Sequence, residues 1–474
     1  MRPRVLLWSA MAAYAAGFAA LSILRHDAYN TGRFDLGNMV QAVWSTAHGH
    51  FLEITNLAGE QTSRLSSHFD PILAAFAPLW LAWPSPDMLV TVQAAAVALG
   101  ALPVFWLARK HTGSEHAALG FALSYLLYPA VQWLTLNEFH PVALACPLLL
   151  YAFWYLDEDR IVPFAIFAVL AAASKEEIGL VIAGFGLWYM LTRRRWAVGA
   201  TIALGGIAVA ALAVEVVVPH FNGASSDFYS RYDEVGGSPG GIAKTAFTDP
   251  THVLGHAFSA RDLHYLGQLL VPLGGLFMLA PVALIAAVPE LGLNLLSKTP
   301  TQSSIHFHYT AGLIPPLVVA TVLGAGALAR RLPRVLPWLG PGAVVLAVAA
   351  NFHLGAIPAW GFLPGGENFQ WRAHEITAHD RAAAQAVRLV PAGVVVTANN
   401  WLGAHVSARR RILSLPRLGD ATWAIADETR PSYLDRISPL PAASALRNLR
   451  SDPSWRVVFE HDGIVVLRRI RRAP

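Results

Sequence analysis

Residues Val5 to Leu24 read VLLWSAMAAYAAGFAALSIL, an uninterrupted apolar stretch that directly follows Arg2 and Arg4. A transmembrane helix needs roughly 20 such residues at a rise of about 1.5 Å each. Similar stretches recur up to about residue 352, after which the composition becomes that of a soluble domain. The sequence therefore predicts a membrane protein whose chemistry lies in the loops between spans or in the tail.

The apolar stretches set the expected architecture. They predict spans near 5–24, 87–108, 116–135, 141–156, 161–174, 177–192, 197–218, 264–280, 281–297, 310–329 and 335–352. Residues 70–83 are also apolar but shorter, which favours a re-entrant or interfacial helix. We therefore expect an all-α polytopic membrane bundle of about 11 transmembrane helices over residues 1–352, followed by a small extracytoplasmic α/β domain over 353–474.

The composition agrees with this class. Of the 474 residues, 55% are hydrophobic and 14% are charged, whereas a typical soluble domain has about 25% charged residues. The 35 basic and 30 acidic side chains give a mild positive excess, and the tail holds arginine clusters. Without a nucleic-acid motif, these clusters favour anionic headgroups or phosphorylated ligands over DNA. The single cysteine, Cys146, excludes an intrachain disulfide.

Positive charge predicts the orientation in a bacterial plasma membrane. With a cytoplasmic N-terminus, the short inside loops hold eleven basic residues, whereas the much longer outside loops hold eight. The inside residues are Arg2, Arg4, Arg109, Lys110, Arg160, Arg193, Arg194, Arg195, Arg330, Arg331 and Arg334. This orientation places the long loops 25–86 and 219–263 and the C-terminal domain outside the cytoplasm.

The tail shows the pattern of a small α/β domain. A helix is predicted over 378–390, and strands are predicted over 394–397, 422–426, 455–459 and 464–467. The last two strands flank an Asp462-Gly463 pair, which is a strong hairpin signal.

A first polar cluster lies in the first outer loop, where Arg33 and Asp35 precede an amphipathic helix. From Leu36 onward, Asn38 and Gln41 belong to a polar stripe at helical spacing, which predicts a helix in the interface plane. Asp35 has two readings. It caps this helix, as Asp often does, or it is a carboxylate held at the membrane surface as a base or metal ligand.

Two further clusters follow at predicted outer positions. His68 and Asp70 stand two residues apart at the start of the apolar segment 70–83. They suit a metal or phosphate site, and they suit capping of the next helix equally well. Asn137, Glu138 and His140 form a tight polar turn, which is either a simple hairpin or part of the same site.

The last two clusters carry positive charge and imidazoles. Lys175 and Glu176 lie in a turn between two spans, and His306, His308 and Tyr309 precede the span that starts near residue 310. A helix N-terminus offers free N–H groups to an anion. Because all five clusters fall on the same predicted face, we expect a polar cavity in which a lipid headgroup meets a water-soluble partner.

The clusters also carry a resemblance to a known family. The residues concerned are Phe34-Asp35-Leu36-Gly37 with Gln41 and Trp44, His68-Phe69-Asp70-Pro71, Glu138-Phe139-His140-Pro141, Lys175-Glu176-Glu177, His308-Tyr309, and Asn399, His405, Ser407 and Arg409 in the tail. Together they resemble a "domain of unknown function" family of bacterial and archaeal membrane proteins. That family is similar in layout to the GT-C superfamily of integral-membrane glycosyltransferases.

The resemblance implies an acidic catalytic residue in the first long outer loop, a polyprenyl-phosphate-linked sugar donor and an extracytoplasmic tail domain. Asp35 is the matching position. Many GT-C enzymes carry two adjacent acidic residues there, whereas this chain has Asp35-Leu36, so a divalent metal is left open and no other cofactor is expected.

We therefore expect a glycosyltransferase-like protein with membrane lipid, a polyprenyl-phosphate sugar and an unidentified acceptor as partners. Asp35 is the expected base, with His68 and Asp70 as its support. The donor phosphate is expected at Lys175, Glu176, His306, His308 and Tyr309. The alternatives are a transporter or flippase for a lipid-linked or anionic substrate, and a non-catalytic scaffold that binds lipid-linked sugars.

Overall fold

The structure, a computed structural model, describes residues 2–224, 227–436 and 442–470. Residues 225–226 of the predicted second outer loop, and residues 437–441 and 471–474 of the predicted tail domain, lie outside the described residues. The described chain is a bundle of apolar helices followed by a small domain built on a five-stranded sheet.

Several helices are suited to cross a membrane. Five are long and apolar enough among the described residues, and a bent helix pair makes up to six. These are Pro3–Asp27, Pro86–Thr112, Trp196–Asn222, Ile314–Arg331 and Pro333–Leu354, with the bent pair Glu115–Leu127 and Pro129–Leu136. Shorter apolar helices are Pro71–Ala82, Pro141–Asp157, Ile161–Ala172, Ile178–Arg193 and Pro281–Leu295. The membrane class and the helical fold are confirmed, whereas the number of eleven spans is not.

Local sequence explains the bend and the close packing of these helices. The bent pair turns by 45° where Tyr128 is extended and Pro129 begins the second helix. Proline has no N–H to donate and disfavours helical geometry in the residue before it. Elsewhere, a Cβ atom added to Gly120 would lie 2.4 Å from Cα of Gly340, so these two membrane helices approach backbone to backbone.

The predicted pair of spans 264–280 and 281–297 is interrupted in the structure. A regular helix ends at Leu270, and Gly274 and Gly275 both adopt the left-handed conformation, which glycine reaches at little cost. The rest of the segment contains 3-10 turns before a short helix. The elements are Ala260–Leu270, Val271–Leu273, Leu276–Leu279, Pro281–Ala287 and Val288–Leu295.

The predicted first outer loop is compact. It contains a π-helical turn Arg33–Gly37, helix Asn38–Ala47, strands β1 (Glu53–Thr55) and β2 (Gln61–Ser63), and the turns Arg64–Ser66 and Pro71–Phe76 before helix Ala77–Ala82. The predicted helix is therefore found, but its polar stripe is not at a water interface. Asn38 and Gln41 are both buried against the rest of the loop and the tail.

The predicted second outer loop is helical where the structure describes it. Its elements are the 3-10 segment Asp227–Val235 and helices Pro239–Thr248 and Pro250–Ala257. The backbone N–H of Lys298 donates to the carbonyl of Arg231 at 2.9 Å. This contact ties the loop to the segment that precedes the predicted span at 310.

The tail domain is the predicted α/β unit. Its strands are β3 (Val396–Ala398), β4 (Ile412–Ser414), β5 (Trp423–Asp427), β6 (Trp455–His461) and β7 (Ile464–Arg469), in the spatial order β4-β3-β5-β7-β6. Strand β3 pairs in parallel with β4 and β5, and β7 pairs antiparallel with β5 and β6. Its helices are Ala378–Leu389, Asn400–His405, Tyr433–Arg436 and Ala442–Ser451.

The predicted helix, the four predicted strands and the hairpin through Asp462 and Gly463 are confirmed, with positive φ at both turn residues. Strand β4 was not predicted from the sequence. It has only three residues and follows three arginines, so it lacks the length and the alternation that identify a strand.

Two side chains of the first outer loop hold the tail against the membrane region. Arg33 is fully buried, and its guanidinium donates to the Ser414 hydroxyl and to the carbonyls of Thr55 and Ile412 at 2.7–2.9 Å. Gln41 donates to the carbonyl of Arg410 at 2.9 Å. These contacts fix the tail directly above the loop that carries Asp35.

Candidate functional site

The carboxylate of Asp35 does not cap a helix. Asp35 lies within the π-helical turn Arg33–Gly37, and among the described residues its side chain accepts no hydrogen bond from an N–H group of this turn or of helix Asn38–Ala47. Its Oδ1 instead lies 3.5 Å from Nε2 of His140, and 53% of its side chain is exposed. The capping interpretation is therefore wrong, because the carboxylate points toward a histidine of another loop and remains accessible.

Glu138 holds the backbone around Asp35. Its carboxylate accepts hydrogen bonds from the N–H of Gly32 at 3.1 Å and from the N–H of Leu36 at 3.0 Å. Burial, and then the charge of Asp35, raise the pKa of Glu138 to about 8. Glu138 itself has φ of 53°, in the left-handed region that costs energy for a non-glycine residue. This turn is therefore strained and tightly held, which positions Asp35.

A fully buried glutamine of a membrane helix fixes the same turn. Gln93 donates to the carbonyls of Thr135 at 3.0 Å and Glu138 at 2.5 Å, and it accepts from the N–H of His140 at 3.0 Å. All polar atoms of this amide are thereby used. Gln93 is thus a support for the loop and does not open onto an aqueous path.

His140 has a defined proton arrangement. Its Nδ1 lies 2.6 Å from the carbonyl oxygen of Asn137, which can only accept, so Nδ1 carries a proton. The ring stacks on His308 at 3.9 Å. His308 is oriented by the Asn137 side chain, whose Oδ1 lies 3.1 Å from both its N–H and its Nδ1. Nε2 of His140 is consequently the atom that faces Asp35.

Asp70 pairs with an arginine that the sequence interpretation did not include. Arg64 Nε donates to Asp70 Oδ2 at 2.9 Å, and both side chains are buried. The other oxygen, Oδ1, is buried and has no partner among the described residues. Burial raises the pKa of Asp70 to about 6, although Arg64 opposes the shift. The side chain of Asp70 accepts no hydrogen bond from the turn that follows it.

The positive charges gather around Tyr309. The ammonium of Lys175 lies 2.6 Å from Glu177 and 5.1 Å from the centre of the Tyr309 ring. Arg231 Nη1 lies 3.4 Å from the Tyr309 hydroxyl, and its guanidinium lies 4.3 Å from the centre of the Phe228 ring. Arg231 forms no ion pair with any described residue. Its charge therefore remains available to an anion.

His68 lies at the same opening and is oriented by Glu176. Nδ1 of His68 is 2.9 Å from the Glu176 carboxylate, which also accepts from the N–H of Phe69 at 3.0 Å. The imidazole stacks on Phe228 at 4.5 Å. Burial lowers the pKa of His68 and of His308, so both rings are mainly neutral at pH 7.

These groups line one cavity of about 200 Å³. Its walls are formed by Phe34, Asp35, Met39, Arg64, His68, Asp70, His140, Pro141, Val142, Ser174, Lys175, Phe228, Arg231, His308 and Tyr309. The predicted site residues Asp35, His68, Asp70, His140, Lys175, His308 and Tyr309 thus lie together, although they come from all five clusters of the sequence.

Other predicted site residues lie outside the cavity wall. Glu138, Asn137 and Glu176 are behind it and hold the lining residues in place. Arg33 and Gln41 face the tail, and Asn38 donates to the carbonyl of Phe34 at 3.1 Å. His306 is turned away, with its ring 4.6 Å from that of Trp133.

Arg64 and Arg231 are lining residues that sequence reasoning missed. Arg64 lies close to His68 in the chain, so a search for charges near that cluster would have found it. Arg231 stands alone in a long loop, and no local signal marks it. Within the described residues, no group of three or more His, Cys, Asp or Glu side chains is placed to hold a metal ion.

Two solved structures share this fold across nearly the whole chain. One is the crystal structure of ArnT from Cupriavidus metallidurans bound to undecaprenyl phosphate, with 13% identity, coverage of 96% of this chain and 97% of that chain, and a TM-score of 0.53. The apo state of the same protein matches with 13% identity, coverage of 96% and 98%, and a TM-score of 0.51. The fold is therefore ArnT-like, in agreement with the GT-C-like layout expected from the sequence.

No curated protein matches this sequence. The family model described as predicted membrane protein (DUF2079) matches residues 25–466, which include the first outer loop, the whole cavity and most of the tail. This chain therefore belongs to the DUF2079 family of predicted membrane proteins.

Proposed function

We propose that this protein is an integral-membrane glycosyltransferase that uses a polyprenyl-phosphate-linked sugar donor on the extracytoplasmic face. The observation that carries the proposal is the composition of the 200 Å³ cavity. An accessible carboxylate, Asp35, faces the same space as Lys175 and the guanidinium of Arg231, which has no ion-pair partner among the described residues. Such a transfer needs two groups: a base that deprotonates the acceptor, and a cation that stabilises the leaving phosphate.

The reaction balances with these side chains. An acceptor hydroxyl gives its proton to the Asp35 carboxylate, and its oxygen bonds to the anomeric carbon of the donor sugar. The bond between that carbon and the phosphate oxygen breaks, and the electron pair stays on the phosphate. Polyprenyl phosphate leaves with one more negative charge than it carried in the donor, and Asp35 holds the proton.

Asp35 is ionised and ready for this role. Although burial acts in the opposite direction, the hydrogen bond and the charge of His140 hold the pKa of Asp35 below its usual value. The carboxylate therefore stays deprotonated at neutral pH until an acceptor hydroxyl approaches. Glu138 and Gln93 keep it in place, so little reorganisation is needed during the reaction.

The cations suit the charge that develops on the phosphate. Arg231 offers a forked donor with no carboxylate partner in the part of the chain that the structure describes, and such groups bind phosphate oxygens in pairs of hydrogen bonds. Against burial, the charges of Glu177 and Glu176 hold the pKa of Lys175 well above its usual value, so its ammonium stays charged. His68 and His308 are mainly neutral and supply hydrogen bonds, not charge.

The likeness to ArnT bound to undecaprenyl phosphate supports a lipid-phosphate ligand, because that molecule is a polyprenyl phosphate. The predicted orientation supports a lipid-linked donor as well. Nucleotide sugars are not available outside the cytoplasm, so a sugar donor must be carried there by a lipid.

A transporter or flippase is less well supported. Such proteins place polar substrate groups near the middle of several spans. Gln93 and Asn294, two of the amides in the apolar segments, are already hydrogen-bonded within the protein. Gln93 binds loop backbone, and Asn294 donates to the Tyr265 hydroxyl at 3.0 Å and the Tyr309 carbonyl at 2.8 Å.

The test uses the full chain in lipid nanodiscs with labelled polyprenyl-phosphate sugars and a panel of hydroxyl acceptors. We expect time-dependent release of polyprenyl phosphate and labelling of an acceptor, both lost in Asp35→Asn. Glu60→Gln, an exposed carboxylate in the same loop, serves as the matched control. Binding without cleavage across the panel would favour the scaffold, and movement of intact donor between leaflets would favour the flippase.

A further inference from the structure

A second, larger cavity lies between the first outer loop and the tail domain. It has a volume of about 830 Å³, and its lining includes Asn30, Asn368, Gln370, Trp371, Arg372 and Glu375. It shares no lining residue with the cavity at Asp35. The size and the mixed polar and aromatic lining set it apart from the apolar surfaces that face lipid.

The two cavities border the same short segment. Asn30 stands five residues before Asp35, and its carbonyl accepts from Arg25 Nε at 3.1 Å. The same guanidinium donates through Nη1 to the carbonyl of Leu136 at 2.9 Å, directly before the turn that contains Glu138. Arg25 therefore connects Asn30, in the wall of the larger cavity, to the segment that leads into the turn with Glu138, which holds Asp35 in place.

The walls of the larger cavity are anchored. Asn30 donates to the carbonyl of Ala373 at 3.3 Å. Arg430, at the opposite edge, forms an ion pair with Asp380 at 2.8 Å and lies 3.3 Å from the Thr377 hydroxyl. The cavity is thus held open by groups that are already paired.

Its floor, in contrast, offers unpaired polar groups. In the described chain, the side chains of Asn368, Gln370, Arg372 and Glu375 form no hydrogen bond or ion pair. Trp371 is 46% exposed, and its ring centre lies 5.6 Å from that of Phe369, with the two ring planes at 77°.

Amides, a guanidinium and a carboxylate together match the donors and acceptors of sugar hydroxyls. The partly exposed indole of Trp371 suits the C–H face of a sugar ring, which is apolar. The four polar side chains do not suit a lipid chain, and Glu375 opposes a purely anionic ligand.

We propose that this cavity binds a carbohydrate chain, with Trp371 as its stacking platform. That this chain is the glycosyl acceptor rests on the proposed function, whereas the carbohydrate binding does not.

The probes are maltohexaose, chitohexaose and an oligouronate, each added to the full chain in nanodiscs and followed by calorimetry. We expect at least one of them to bind, and Trp371→Ala to weaken that binding about tenfold or more. Trp83→Ala is the matched control, because Trp83 is 44% exposed and lies outside the cavity. Failure of all three probes to bind, or equal binding by Trp371→Ala, would overturn the proposal and leave Trp371 as an interfacial aromatic.

The test of carbohydrate binding can be distinguished from the test of the proposed transfer activity. Asp35→Asn should bind the same oligosaccharide with unchanged affinity, because Asp35 does not line this cavity. Binding without any transfer activity would reject the glycosyltransferase and keep the carbohydrate site. If no oligosaccharide binds and Trp371→Ala leaves transfer activity unchanged, the carbohydrate site is rejected, whereas the proposed glycosyltransferase activity is retained.

Discussion

Asp35 Oδ1 lies 3.5 Å from Nε2 of His140, although the two residues belong to separate loops. Because Nδ1 of His140 already donates to the Asn137 carbonyl, Nε2 is the ring nitrogen left to face the carboxylate. The hydrogen bond and the charge of His140 hold the pKa of Asp35 below its usual value, so the carboxylate stays ionised.

The first prediction concerns Asp35→Asn. The amide cannot accept the acceptor's proton, and a positioned base contributes on the order of 10²–10⁴-fold to a rate. We expect transfer to fall by about this factor while the thermal unfolding midpoint stays near that of the parent chain. The midpoint should hold because the side chain is half exposed and caps no helix. Full activity in this variant would make Asp35 a structural residue.

Glu138 should matter for both structure and activity. Glu138→Ala leaves the N–H groups of Gly32 and Leu36 without acceptors, and each buried unpaired group costs about 1–3 kcal/mol. We expect a lower unfolding midpoint and lower transfer, because the turn that carries Asp35 loses its support.

Glu138→Gln keeps one side-chain oxygen, so its loss of stability should be smaller than that of the alanine variant. Unfolding curves of the two variants in identical nanodiscs provide the check. Equal stability of Glu138→Ala and the parent chain would show that the turn does not depend on this carboxylate.

Arg231 should bind the lipid phosphate without contributing much to folding. Arg231→Met removes a charge that has no carboxylate partner in the described chain, so we expect polyprenyl phosphate to bind about tenfold more weakly. Lys244→Met, an exposed cation of the same outer loop, should bind as the parent does. Equal affinities of the two variants in a labelled-lipid binding assay would contradict the site.

Lys175→Met is expected to affect both phosphate binding and folding, although the position of Lys175 in a turn predicts an effect on binding alone. An outer-turn lysine is expected to contribute little packing, yet Lys175 is only 9% exposed and pairs with Glu177 at 2.6 Å. Removing one partner of a buried ion pair leaves the other charge unsatisfied. We therefore expect Lys175→Met to lower both ligand affinity and the unfolding midpoint, whereas Arg231→Met lowers affinity alone.

The class of fold was predicted well from the sequence, because that class is encoded in long, simple patterns. Apolar length identifies membrane helices, and the Asp462-Gly463 pair identifies the hairpin. The number of membrane spans could not be predicted from these patterns. The short helices and the interruption at Gly274 and Gly275 depend on packing between helices, which hydropathy does not report.

The site was predictable where its residues lie in loops at one end of consecutive helices. Glu138, Lys175 and His308 belong to such loops, and chain topology alone brings them close. Arg231 and Gln93 could not be recognised, because their roles depend on contacts with residues far away in the chain. His306 shares its short motif with His308 but packs on Trp133, and nothing in the local sequence separates the two.

The orientation gives a prediction that is independent of the chemistry. Eleven basic residues in short loops predict that Arg195 is cytoplasmic and that the C-terminus is outside. Reporter fusions after Arg195 and after residue 474 should therefore report opposite sides, and a fusion after Lys110 should agree with the first. If the fusions after Arg195 and residue 474 agreed with each other, the tail and the cavity could not lie on the predicted face.

The last prediction concerns the pH dependence of the tail domain. His379 lies between two carboxylates, with Nε2 at 2.8 Å from Asp427 and Nδ1 at 2.9 Å from Asp462. Both nitrogens must donate, so the ring is an imidazolium that joins helix Ala378–Leu389 to the ends of β5 and β6. Burial opposes the charge, but the two carboxylates raise the pKa of His379 above its usual value.

The sign of the effect follows from that shift. The folded-state pKa of His379 is above the unfolded value of about 6.5, so its stabilisation is complete below that pH and is lost as pH rises through the folded pKa. We expect Asp462→Asn to lower the unfolding midpoint of the tail at pH 5.5 by several degrees, and to do so much less at pH 9. His461→Gln, which changes the exposed neighbouring residue, should show no such difference. A loss from Asp462→Asn that is equal at both pH values would mean that the carboxylate acts through packing or a turn contact, and not through a charged His379.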